Sequence, residues 1–360
     1  MPHTTQLRVQ ALVADVKDCR QYFHFTRMEL KVSDSAQGPI FVVGMNGSGT
    51  TMMLDHLNSH PAVYGYPEET RVLPHFLGTV ARYGDLSIDE NLHHLWQDMC
   101  KAFPFWRSNG EVPVPIPDDW RDAARNPAEI FDWILGYFAK KQDKPIWCEK
   151  TPMHALHIAA IAERLPTARF VHMVRDGRDC AASFRRRWGY DPKVTIFRWR
   201  KTIAEARRQA AMIDDGRYAE VRFEKLTTEP EPVLRNLLEF LQLGFDEAVL
   251  ASSRNTGRNR GISSAELRPN SGAFKSFFSA KQLDGLERVA GAMLNELGYE
   301  TSNPNGNKDL SGFYLQLRQL PTYLARLRDV ARRARRSKSP WKLFVGRVRS
   351  GLAHLRANRF

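Results

Sequence analysis

Four short runs of apolar and β-branched residues recur along the chain. They are Pro39–Gly44 (PIFVVG), Pro145–Lys150 (PIWCEK), Ala168–Val174 (ARFVHMV) and Tyr218–Phe223 (YAEVRF). Their length and their lack of polar interruption predict buried strands. Between them lie longer stretches with helical patterning: Thr50–His60, Pro127–Lys141, His154–Leu165, Asp179–Trp188 and Thr195–Ile213. Strands that alternate with helices predict an α/β fold, a parallel sheet with helices on both faces. Ligands of such sheets bind beyond the carboxyl ends of the strands. Two stretches fit neither period. Arg107–Trp120 is rich in proline and reads as a loop, whereas Ala251–Phe274 is polar, glycine-rich and basic. A loop that long inside a compact domain is a lid, a binding segment or disordered.

At 360 residues the chain is long enough for one large α/β domain or two small ones, and 42% apolar with 26% charged residues is a globular balance. No apolar run reaches bilayer length, and the first twenty residues carry scattered charge with no apolar core of a secretory leader, so the expected compartment is the cytoplasm. Cys19, Cys100, Cys148 and Cys180 lie far apart without metal-ligand spacing and are expected as reduced thiols. The net charge of +13 is concentrated at one end: residues 313–360 hold thirteen Lys and Arg against Asp329 alone. The basic character therefore belongs to a C-terminal tail and says little about the rest of the chain. In that tail Tyr323, Leu324, Leu327, Val330 and Ala331 recur at helical spacing. After Ser339-Pro340, Trp341, Phe344, Val345, Val348, Leu352 and Leu355 share a second face, with Lys342, Arg347, Arg349 and Arg356 mainly off it. Basic amphipathic helices of this kind suit an anionic membrane surface, an acidic partner or docking on the domain itself. No nucleic-acid-binding motif accompanies the charge.

The chemistry concentrates where strands end. After Gly44, Met45-Asn46-Gly47-Ser48-Gly49 turn into a helix opened by Thr50-Thr51. Glycines permit a tight turn, backbone N–H groups point inward, and the helix start adds partial positive charge, so the loop suits a phosphate. It nearly matches the nucleoside-triphosphate loop, but Thr50 occupies the lysine position, which argues against an ATP-using kinase. A second anion site follows the third strand, where Arg175 stands at the strand end and Ser183 eight residues on. Arg178 is close by, while Arg185, Arg186 and Arg187 cannot all face one ligand and read as a solvated helix face.

These residues resemble the sulfotransferases that use 3′-phosphoadenosine 5′-phosphosulfate (PAPS). That family carries an S-G-T-T loop for the 5′-phosphosulfate and an R-D-x-R-D-x-x-x-S segment whose first Arg and last Ser hold the 3′-phosphate. Here the matches are Ser48-Gly49-Thr50-Thr51 and Arg175-Asp176-Gly177-Arg178-Asp179 with Ser183, and the likeness extends over about Pro39 to Tyr299. The resemblance implies a P-loop-type sulfotransferase domain over residues 1–312, followed by the basic tail 313–360. It implies PAPS as donor, its product PAP (3′-phosphoadenosine 5′-phosphate), no metal requirement, and a hydroxyl-bearing acceptor. The segments HPAVYGYPEETRVLPHF and WCEKTPMH look like those of tyrosylprotein sulfotransferases and their bacterial relatives. By that resemblance Glu69 is the base, with Lys150 and Arg71 as cations at the transferring group.

One departure stands out. The Lys or Arg that precedes S-G-T-T in most of the family is Gly47 here. Sulfuryl transfer depends on in-line positioning and on cations that meet charge developing on the leaving oxygen. Lys150 is expected to take that role, leaving Gly47 a backbone role. The alternative is a descendant that binds PAP without catalysis. His154 and His157, beside Lys150, are weaker candidates for the base. Arg258 or Arg260, in the long polar loop, could touch a phosphate.

Overall fold

The computed structural model describes residues 38–102, 116–251, 271–318 and 320. The elements run β1 (Ile40–Gly44), α1 (Thr50–Asn58), β2 (Val63–Gly65), α2 (Leu73–Thr79), α3 (Asp89–Ala102), α4 (Trp120–Ala123), α5 (Pro127–Lys140), β3 (Ile146–Glu149), α6 (Ile158–Arg164), β4 (Arg169–Val174), α7 (Gly177–Trp188), α8 (Pro192–Ala210), β5 (Tyr218–Arg222), α9 (Phe223–Thr228), α10 (Pro230–Phe240), α11 (Ala248–Ala251), α12 (Phe274–Phe277) and α13 (Ala280–Glu296). The five strands form one sheet in the order β2-β3-β1-β4-β5. Every pairing is parallel, with Ile40 opposite Cys148 on one side of β1 and Arg169 on the other.

β1 is apolar throughout because both of its faces are covered. Phe41 and Val43 join a core with Phe131, Ile134, Trp147 and Phe170, while Ile40 and Val42 join a second core with Met53, Leu57, Leu234 and Leu238. Phe41 is wholly buried, stacks on Phe170 at 5.4 Å and meets Trp147 edge-on at 5.2 Å. Truncating it to alanine would cost about 3–5 kcal/mol. The central strand is thus a rigid base for the loop at its carboxyl end.

The expected strands are present within a residue or two of their bounds, although Phe223 starts α9 rather than ending β5. β2, three residues long, was not expected. The single helix expected over His154–Leu165 is instead a 3₁₀ segment, Pro152–Leu156, followed by α6. Pro152 suits the first position of the 3₁₀ segment, and the break falls at His157, whose φ of −136° leaves the helical region. The helix expected over Thr195–Ile213 starts earlier, at Pro192, where Asp191 caps it by accepting from the N–H groups of Lys193 and Val194. Arg258, Arg260 and most of Arg107–Trp120 lie outside the described residues. Residues 312–318 are helical across the expected 312/313 boundary, and nearly all of the basic tail beyond them lies outside the described residues. The three described cysteines, Cys100, Cys148 and Cys180, are free and buried.

Candidate active site

The site is built on three neighbouring strand ends. β1 leads into the glycine loop. Lys150 follows β3 on one side of it, and Arg175 follows β4 on the other.

In the loop, Ser48 N–H donates to Met45 O at 3.0 Å and closes the turn. Gly47 and Gly49 have φ of +88° and +99°, the left-handed region where a Cβ is strained. At Gly49 space is lacking as well, since a Cβ would lie 2.5 Å from the Phe223 ring. At Gly47 there is room, with Phe184 at 3.4 Å and Ser183 Oγ at 3.8 Å from a Cβ, so conformation alone selects glycine. α1 begins at Thr50 with no side-chain cap, which leaves its first N–H groups at the glycine loop without a side-chain acceptor. Ser48 is 1% exposed, and its Oγ, like Asn46 Oδ1, is buried without a hydrogen-bond partner. A buried hydroxyl without a partner beside an uncapped helix start fits an anionic ligand. Thr50 is buried in the same turn and Thr51 is exposed.

On the β4 side, Arg175 is 7% exposed. Its guanidinium lies 4.2 Å over the Phe223 ring, donates from Nη1 to Gly47 O at 3.1 Å, and stands 3.9 Å from Asp179. Trp199 Nε1 holds the Arg175 carbonyl at 2.9 Å. Ser183, two turns into α7, is half-buried and close to Gly47. The structure therefore brings Gly47, Ser48, Arg175 and Ser183 together. Asp179 takes the N–H groups of Gly272 and Phe274, each at 2.9 Å, and burial pushes its carboxyl above the usual range against those bonds. Arg178 is not in this cluster. It is locked between Asp176 (2.7 Å) and Glu287 (2.6 Å) and donates to Glu300 O, so its role is structural. Arg185 donates to the Gly189 carbonyl and Arg186 lies over Phe277, in keeping with a surface face.

On the β3 side, Glu69 and Lys150 form an ion pair, Oε1 to Nζ at 3.0 Å. Arg71 Nε donates to Glu69 Oε2 at 2.9 Å, and its Nη2 makes a second, shorter contact there. Lys150 is nearly buried, Glu69 partly so, and Arg71 is 56% exposed. Burial works to raise the Glu69 carboxyl, but the charges of Lys150 and then Arg71 outweigh it and hold the group below its usual range. All three expected catalytic residues thus meet. The sequence did not reveal that Lys150 is engaged with Glu69, the expected base. It also missed what lies beneath. Glu149, Thr70, Thr151 and His154 are buried together, and His154 Nδ1 faces Glu149 Oε2 at 3.1 Å. His154, the weaker candidate for the base, is buried and lies against Glu149. His157 ends the 3₁₀ segment and starts α6, and burial lowers its pKa, with the nearby His154 adding to the effect. No periodicity or spacing marks Thr70 or Thr151; their hydroxyls matter only because the fold buries a carboxylate between them.

A parallel sheet with an uncapped glycine loop and a buried arginine across from it is an α/β arrangement suited to an anion, and comparison makes the class specific. The sulfotransferase family profile matches residues 39–247. The chain belongs to the sulfotransferase family, and is an enzyme of that class. It is 26% identical over 290 residues to protein-tyrosine sulfotransferase A of Caenorhabditis elegans, covering 74% of this chain and 68% of that protein. It is 27% identical over 284 residues to human protein-tyrosine sulfotransferase 1, covering 74% and 70%. Among solved structures, the sulfotransferase domain of the Synechococcus olefin synthase superposes with a TM-score of 0.52 at 22% identity, over 76% of this chain and 99% of that one, a likeness of fold.

Proposed function

We propose that this sulfotransferase moves the sulfuryl group of PAPS to the hydroxyl or phenol of an acceptor, with a tyrosine phenol as the first acceptor to test because the relatives named above act on protein tyrosine. The observation that carries the proposal is the arrangement around β1, with a buried, partnerless Ser48 hydroxyl and Arg175 on one side and an ionised Glu69 held by Lys150 on the other. When bound, PAPS supplies an activated sulfate whose S–O bond to phosphate breaks as the acceptor oxygen attacks sulfur. Gly47 to Thr51 would hold the 5′ side through backbone N–H groups and hydroxyls. Arg175 and Ser183 would hold the 3′-phosphate. Glu69 takes the acceptor proton, a role for which the Lys150 and Arg71 charges keep it ionised. Protonation of Glu69 cancels its half of the ion pair, which frees the Lys150 ammonium to meet the charge developing on the leaving phosphate oxygen. Gly47 carries no cation, so on this reading the β3 side supplies it.

The test is titration calorimetry of the purified chain with PAP, AMP and ATP–magnesium, followed by labelled PAPS with tyrosine peptides, sugars and lipids as acceptors. PAP should bind far more tightly than AMP. Equal affinity for the two would overturn the nucleotide assignment. Tight PAP binding without transfer to any acceptor would favour a binding protein.

A specific group of exposed side chains supports a location as well. Trp188, Phe277, Phe313, Leu317 and Leu320 are exposed large hydrophobic residues, and they sit on linked elements. Arg186 lies 5.3 Å over Phe277, and Arg318 reaches Asp191 at 3.5 Å, three residues after Trp188. Together with the thirteen Lys and Arg in the sequence of residues 313–360, these side chains support a second reading, that the enzyme works in the cytoplasm against an anionic inner membrane face. No helix among the described residues is long and apolar enough to cross a membrane. Flotation of the full chain with phosphatidylglycerol vesicles, but not with phosphatidylcholine vesicles, is the expected result. Equal recovery with both would overturn it.

A further inference from the structure

Glu149 is a carboxylate where the fold has no obvious use for one. It ends β3 opposite Phe41 of the central strand and is completely buried. A buried carboxylate persists only where donors or an opposite charge replace water, and here every hydrogen bond falls on one oxygen, Oε1. Oε1 accepts from the Thr70 N–H at 3.2 Å, from the Thr70 hydroxyl at 3.0 Å, and from the Thr151 hydroxyl in a short contact. Oε2 lies 3.1 Å from His154 Nδ1 but makes no hydrogen bond with it. The Thr151 oxygen, while donating to Glu149, accepts the N–H of Arg71 at 3.3 Å.

The sequence positions of these partners are what matter. Thr70 and Arg71 directly follow Glu69, and Thr151 directly follows Lys150. One carboxylate therefore fastens both segments that carry the charged pair. The loop holds a tension of its own, since Arg71 has φ of +57°, a conformation non-glycine residues adopt only when their surroundings impose it. The bond from its N–H to Thr151 is such a constraint.

We infer that Glu149 is a positioning residue of the transfer site: acting through Thr70 and Thr151, it clamps the Glu69 loop to the end of β3 so that Glu69 and Lys150 stay in contact. The inference rests on the role of Glu69 proposed above, but its geometric content can be read without turnover. The charged groups facing Glu69 are Lys150 and Arg71; Glu149 and His154 lie one layer deeper. If the clamp loosens, Glu69 loses part of the stabilisation of its ionised form, and its carboxyl should titrate at higher pH.

The discriminating variants are Thr70→Val, which keeps the shape and removes one donor to Glu149, and Thr70→Ser, which restores the hydroxyl. Glu149→Gln tests the charge. It leaves a carbonyl oxygen able to accept from both threonines and should behave more mildly than Glu149→Ala. Each full-length variant is read in two ways. The first is the titration of Glu69 by carboxyl-carbon NMR, assigned with Glu69→Gln. The second is kcat, KM and PAP affinity in the transfer assay. Thr70→Val should raise the Glu69 titration and lower kcat on the order of 10- to 100-fold. PAP affinity should hardly change, and Thr70→Ser should recover most of the loss. An unmoved Glu69 titration in a folded Thr70→Val protein would overturn the inference, as would a serine variant no better than valine. Should Glu149→Ala fail to fold, the threonine pair still decides. If the wild type transfers no sulfuryl group but the Glu69 titration shifts as described, the clamp stands and the proposed reaction falls.

Discussion

The two flanks of β1 are organised on different principles. On the β4 flank, Arg175 is fixed by contacts that belong to the core: the Phe223 ring beneath it, Trp199 on its carbonyl, and the Gly47 carbonyl at its Nη1. On the β3 flank, Glu69 and Arg71 sit at the solvent edge, and their placement comes second-hand from a buried carboxylate and two threonine hydroxyls. On the proposed reading the first flank binds a fixed anion, which needs a rigid, partly dehydrated cation. On the same reading the second lets a proton and a charge change places, which needs a pair whose contact can be made and broken. Substitutions should therefore fail differently on the two sides, in affinity on one and in turnover on the other.

The largest effect is expected on the β3 flank. Glu69→Gln should reduce turnover about 10²- to 10⁴-fold, the usual range for a positioned general base, with little change in PAP affinity. Lys150→Ala should cost about 10²- to 10³-fold. It should also move the acid limb of kcat/KM. The wild-type Glu69 carboxyl is held below its usual range, so activity should persist until the pH falls through that depressed value. Without Lys150 the largest opposing charge is gone, and the limb should shift to higher pH. A Lys150→Ala enzyme with near-normal turnover, or with an unmoved limb, would break the division of labour between the flanks.

Arg175→Ala should act on binding. Losing a buried charged partner costs about 2–5 kcal/mol, roughly 30- to 5000-fold in PAP affinity. Calorimetry with AMP supplies the control for local damage, since AMP lacks the 3′-phosphate and should lose much less. If PAP and AMP weaken equally, Arg175 shapes the loop through Gly47 rather than reading the 3′-phosphate.

The two flanks also differ in how much of them is legible in the sequence. The glycine loop, Arg175 and Ser183 are readable because backbone geometry and charge at a strand end demand particular residues at fixed spacing. The parallel sheet is readable because β1, buried on both faces, leaves an uninterrupted apolar run. β2 is missed because three residues, Val63–Gly65, are too few to show a period. Glu149 is missed for a different reason. A carboxylate beside Lys150 looks like any charged strand end, and only the tertiary fold shows that it faces inward and takes Thr70 and Thr151 as donors. Arg178 shows the converse, since a basic residue inside the motif, given no ligand in the sequence reading, is bound by Asp176 and Glu287. Residue type and spacing report what a motif could hold; they do not report which charges are already taken.

Gly47 tests whether the missing cation limits the enzyme. A lysine there would have room for its Cβ but would be forced to φ near +88°. The expected cost is about 1–2 kcal/mol of stability by denaturant unfolding, with no gain in turnover because Lys150 already supplies the charge. A Gly47→Lys enzyme that turned over faster than wild type would mean that the β3 flank provides too little.

The smallest effect is expected at Arg71, where two terms oppose each other. Arg71 is more than half exposed, so its pairing with Glu69 is screened by water and salt and is worth roughly 0–1 kcal/mol. Its left-handed backbone costs a non-glycine residue about 1–2 kcal/mol that glycine would not lose. Arg71→Gly should therefore unfold at nearly the same denaturant concentration as wild type, or slightly higher, while Arg71→Ala should be the less stable of the two. The charge should show instead in pH dependence. Because the folded pKa of Glu69 is depressed, its ion pairs stabilise the fold above the unfolded carboxylate pKa, and that stabilisation is lost as pH falls through the folded value. The wild-type advantage over Arg71→Gly from pairing should thus shrink on acidification and in high salt, leaving the glycine variant ahead. If Arg71→Gly is much less stable than wild type at every pH, Arg71 does more for the loop than pair with Glu69. The β3 flank would then be as rigidly built as the β4 flank.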